Sequence, residues 1–109
     1  MEKNANALKL YREYRNMDYY ESTEALNDTL TKLNILVTLY GMDEAREIAN
    51  DYNENGADIF GRVRADLFQA MRADFETMAN YGDNEGELMA ELEAADAETL
   101  EAYADTFLL

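Results

Sequence analysis

The chain has 109 residues, 24 acidic and 9 basic side chains, and a formal net charge of −15, while 48% of its residues are hydrophobic. That length and apolar share fit one globular domain with a real core, so the acidity does not imply a disordered tail. With no cysteine and no histidine, disulfides, thiol chemistry, zinc-thiolate sites and the commonest general base are all excluded.

The predicted elements are helical from end to end. No apolar run reaches the roughly 20 residues of a membrane span, and the opening MEKNANALKL lacks the apolar centre of a signal peptide. We therefore expect a cytoplasmic protein. In the first predicted helix Ala7, Leu8, Tyr11, Tyr14 and Arg15 recur at helical spacing, with fraying near Asn16 to Asp18. Ser22 is an N-cap candidate for the second, whose seam is Leu26, Leu30, Leu33, Val37 and Tyr40, stopped by Gly41. Asp43 opens a third, carrying Ala45, Ile48, Ala49 and Tyr52 and ending at Asn53 to Gly56.

A fourth helix is predicted as one run through Phe60, Val63, Leu67, Met71, Phe75 and Met78, closing at Tyr81–Gly82. Asn84 and Glu87 form a capping box for a fifth, lined by Leu88, Met89, Leu92 and Ala95. Either Asp96 caps a sixth helix, or the fifth runs on through Leu100, Tyr103, Ala104, Phe107 and Leu108. No period-two alternation competes with this pattern. The expectation is an all-α fold, a single-domain bundle of five to six helices over residues 1–109.

DYNENGADIFGR, residues 51–62, begins like an EF-hand loop, with Asp51, Asn53, Asn55 and Gly56 at positions 1, 3, 5 and 6. Such a loop needs a bidentate glutamate at position 12, and Arg62 stands there. The same residues suit a helix C-terminus followed by an Asp58 cap, so no metal site is expected. Nor is a cofactor. Glycine-rich phosphate loops are absent, the single serine, Ser22, has no histidine to activate it, and glutamates cannot form a di-iron centre without Glu-x-x-His. An enzyme is not expected.

Charge is distributed unevenly. Residues 1–32 carry a net −1, residues 33–61 a net −5 and residues 62–72 a net +2, from Arg62, Arg64 and Arg72 against Asp66. Residues 73–109 contain eleven acidic side chains and no basic one. On a continuous helix Glu87, Glu91, Glu98, Glu101 and Asp105 fall along one side, with neighbouring positions about 5–6 Å apart. A row of carboxylates at that spacing can stand in for nucleic-acid phosphates towards arginines and lysines. The same row also fits a solvated face that serves solubility. Repulsion argues against direct binding to nucleic acid or to an anionic membrane, and neither is expected.

A second candidate contact surface is the stretch YREYRNMDYYES, where Tyr11, Tyr14, Tyr19 and Tyr20 alternate with Arg12 and Arg15. Tyrosine and arginine are enriched at protein–protein hot spots, although tyrosines also pad bundles with their hydroxyls at the surface.

In its size, acidity and missing chemistry the chain resembles the inhibitors that phages and plasmids deploy against nucleases, among them anti-restriction and anti-CRISPR proteins. The resemblance implies a DNA mimic that occupies the basic groove of a nucleic-acid-binding enzyme. The competing expectation is a structural or adaptor protein that self-associates into a homo-oligomer through its tyrosine and leucine faces.

Overall fold

The computed structural model describes residues 2–14 and 23–109, and every described element is helical. The helices are α1 (Glu2–Glu13), α2 (Thr23–Asn55), α3 (Gly61–Ala73), α4 (Phe75–Asn80), α5 (Glu85–Ala94) and α6 (Ala97–Phe107). The all-α expectation holds. The Ser22 cap lies outside the described residues. Among those residues, no helix is long and apolar enough to cross a membrane.

Two compact units divide the chain, residues 1–60 and 61–109. In the first, α1 packs against α2. Gly41 interrupts α2 as the sequence predicts, at φ 85° and ψ 166°, so 23–40 and 42–55 are two helical segments. That backbone region is essentially closed to residues with a Cβ. The core gathers Ala7 and Leu10 of α1 with Leu33, Ile35, Leu36, Ala45 and Ala49 of α2, together with Ile59 and Phe60. The buried stripe of 23–40 is thus Thr29, Leu33 and Leu36, whereas Leu26, Leu30, Val37 and Tyr40 of the expected seam are only half-buried. An ion pair fixes α1 on the second segment: Arg46 Nε and Nη2 donate to Glu13 Oε2 and Oε1 at 3.1 and 3.4 Å.

Gly56, at φ 68°, closes α2 by donating its N–H to the Tyr52 carbonyl at 3.0 Å, the single-bond left-handed helix stop. Asp58 Oδ1 then accepts from the Phe60 N–H at 2.9 Å. Residues 51–55 are therefore helical, and alternate positions on a helix diverge by about 200°. Asp51, Asn53 and Asn55 cannot converge on one ion. Asp51 instead accepts from Asn55 Nδ2 at 2.8 Å.

In the second unit α3 packs against α4, α5 and α6. Its buried stripe, Val63, Leu67 and Met71, meets Met78, Leu88, Leu92, Ala97, Leu100 and Ala104. The single fourth helix expected over Phe60 to Met78 is not formed. Asp74, at φ −89° and ψ 112°, ends one helix and caps another, accepting from the Thr77 N–H at 3.1 Å and from the Thr77 hydroxyl. An aspartate so placed offers the backbone a local alternative to helix continuation. The break also swings Phe75 out of the seam, leaving it 86% exposed. The helix-closing turn at Tyr81–Gly82 forms as predicted: Gly82 N–H donates to Ala79 O at 3.1 Å and Asp83 N–H to Met78 O at 2.9 Å, the paired bonds of a Schellman stop.

Candidate acidic binding surface

The five carboxylates expected on one helix face are divided between two helices. Ala95, at φ −70° and ψ 139°, ends α5, and Asp96 starts α6 by accepting from the Thr99 N–H at 2.8 Å. The Thr99 hydroxyl and N–H hold the Asp96 carboxyl below its ordinary range. Asn84 caps α5 as expected, accepting from the Glu87 N–H at 3.2 Å. Only half of the predicted box is made by backbone and side chain as written, because the Asn84 N–H donates to the Tyr81 carbonyl at 3.0 Å.

Glu87 and Glu91 therefore belong to α5, and Glu98, Glu101 and Asp105 to α6. They are not equivalent. Glu87, Glu98 and Asp105 are exposed, and Glu101 is half-buried. Glu91 is held by two tyrosines: the Tyr81 hydroxyl donates to Oε2, and the Tyr103 hydroxyl to Oε1 at 2.9 Å. Burial, then the hydrogen bond and charge of Glu91, push the Tyr81 hydroxyl well above the usual tyrosine range, and the Tyr103 hydroxyl moves the same way for the same reasons. This clasp joins the end of α4 to α5 and α6. Glu91 is thus a structural acceptor as much as a surface charge.

Each of the three arginines of residues 62–72 has a partner within its own unit. Arg62 lies 4.0 Å from Asp66 and Arg72 3.3 Å from Glu85. Arg64 Nε donates to the Leu92 carbonyl at 3.3 Å, placing a cation at the negative end of α5. Glu87, Glu98 and Asp105 lie beyond the partners of these pairs.

A second acidic row was not anticipated. On the helical segment 42–55, Glu44, Glu47, Asp51 and Glu54 follow at steps of three, four and three, and all four are exposed. Here the helix is continuous, so the spacing of about 5–6 Å between neighbours applies without interruption. Asn50 Nδ2 donates to Glu54 at 3.3 Å, as Asn55 does to Asp51. Neutral amides orient these carboxylates without cancelling their charge. The spacing is legible in the sequence of the predicted third helix, although the greater net charge lies in the last third.

Of the tyrosine surface, Tyr11 and Tyr14 lie half-buried at the end of α1. The Tyr14 hydroxyl donates to the Arg46 carbonyl at 3.4 Å, so this ring braces α1 on α2. Tyr19 and Tyr20 lie outside the described residues. No known protein family, curated protein or solved structure matches the chain.

Proposed function

We propose that the protein is a binding inhibitor, not an enzyme, whose carboxylates occupy the basic nucleic-acid groove of a nuclease or other DNA-binding protein. One observation carries this reading: residues 73–109 bear eleven carboxylates and no cation, on three short helices and their caps, with Glu87, Glu98 and Asp105 turned to solvent. Like charges so arranged repel one another, and a partner's arginines and lysines relieve that repulsion while forming charge-assisted hydrogen bonds. The row Glu44, Glu47, Asp51 and Glu54 gives the other unit a comparable surface. Inhibition then follows from competitive occlusion, and affinity falls steeply with salt. Anti-restriction and anti-CRISPR inhibitors are the class this reading points to.

The test is charge reversal. The variant Glu87→Lys, Glu98→Lys, Asp105→Lys spares the Glu91 clasp and touches no core side chain. It should lose capture of nucleic-acid-binding proteins that the wild type retains at low salt. Unchanged capture and inhibition at moderate salt would refute mimicry by this surface. The alternative, a self-associating adaptor, draws support from the exposure of Phe75 and Leu109. Sedimentation of a tight oligomer indifferent to basic proteins would favour it.

A further inference from the structure

Residues 72–85 enclose an open cleft of about 650 Å³, lined by Arg72, Phe75, Met78, Gly82, Asp83 and Glu85 among others. Its walls are of two kinds. Phe75, 86% exposed at the start of α4, supplies the apolar surface, and Met78 beside it is only 7% exposed. Asp83 and Glu85 supply negative charge, and Arg72, the cation on the wall, is drawn to Glu85 at 3.3 Å. Aromatic and methionine side chains with a charged rim are the make-up of a protein-contact core. A second copy of the chain is a poor occupant, because each copy brings a net −15 and the cleft's charged lining, Arg72, Asp83 and Glu85, is itself net negative.

Resting on the acidic-surface reading above, we propose that this cleft docks a basic segment of the partner protein, setting one apolar side chain against Phe75 while flanking lysines or arginines meet Asp83 and compete with Arg72 for Glu85. Carboxylates would then steer the encounter, and Phe75 would supply the desolvated anchor that charge alone lacks. The geometry explains why the break at Asp74 is useful. A continuous helix would have kept Phe75 in line with Met71, on the seam facing the core.

Two probes separate anchor from charge: a short leucine–lysine peptide, and an oligolysine of equal charge. Wild type should bind the first about tenfold more tightly than the second, with backbone amide shifts centred on residues 72–85. Phe75→Ala should abolish that difference while leaving oligolysine binding and the melting temperature unchanged. If Phe75→Ala leaves leucine–lysine binding unchanged, or the shifts lie elsewhere, the docking assignment falls. Loss of oligolysine binding in the charge-reversed triple variant would, in that case, leave the acidic-surface reading standing. Failure of both peptides to bind would overturn both. Equal binding of a leucine–glutamate peptide would show an occupant that need not be basic, and a dimer dissolved by Phe75→Ala would make that occupant a second copy. Either result overturns the proposal.

Discussion

Glu91 illustrates how one residue can be read correctly by type and incompletely by role. Its exposure and charge suit a surface contact, yet both of its oxygens accept tyrosine hydroxyls, from Tyr81 and Tyr103. Glu91→Gln should lower unfolding stability by about 1 kcal/mol, since hydrogen bonds to a charged acceptor exceed those to a neutral one. It should also bring the ionisation of Tyr81 and Tyr103 down towards the ordinary tyrosine range, because a neighbouring negative charge disfavours phenolate. Phenolate absorbance measured against pH checks this, and an unchanged alkaline titration would contradict it. Asp96 offers the opposite sign. Its carboxyl is held low in the folded chain, so the stability it contributes is present above the ordinary aspartate value of about 4 and is lost as pH falls through the lower folded value. Asp96→Asn keeps a capping oxygen that does not titrate. Its stability relative to wild type should therefore rise below about pH 4, and a pH-independent difference in acid unfolding would count against the cap.

At the scale of elements, what governs this chain is where helices stop. Gly41, Gly82, Asn84 and Asp96 each mark a boundary that is legible in the sequence, because glycine and the short polar side chains satisfy or release backbone groups that other residues cannot. Asp74 was not legible in the same way. Met71, Phe75 and Met78 keep helical spacing across it, and the apolar pattern outweighed the Asp-x-x-Thr capping signature that Asp74 shares with Asp96. The rotation of the buried stripe in residues 23–40, from Leu26–Leu30–Val37 to Thr29–Leu33–Leu36, has a different origin. Periodicity fixes the breadth of an apolar face, and the packing partner, here α1, decides which part of it is covered. The break at Gly41 is testable. Gly41→Ala forces a Cβ onto a backbone at φ 85° and should cost about 1–3 kcal/mol in denaturant unfolding, although nothing lies within 4 Å of the added atom. A neutral result would mean that a continuous helix through residue 41 is as stable as the broken one.

At the scale of the molecule, charge was the feature most plainly written in the sequence and the one whose placement was hardest to read from it. The total of −15 is divided as −6 in residues 1–60 and −9 in residues 61–109. Projecting one continuous helix places Glu87 and Glu91 in line with Glu98, Glu101 and Asp105, whereas the Asp96 cap divides them; the unbroken acidic row is the one at residues 44–54. Under the proposed reading, both surfaces would attract cations. The most direct measurement is competition. Proteins captured from a lysate on the immobilised chain at about 50 mM salt are challenged with duplex DNA, then with about 200 mM salt, across which phosphate-like contacts lose several orders of magnitude in affinity. The predicted result is that nucleic-acid-binding proteins predominate and both challenges release them, while the triple charge-reversed chain captures markedly less. Captured proteins that resist DNA and salt alike, or that bind the charge-reversed chain equally well, would contradict nucleic-acid mimicry.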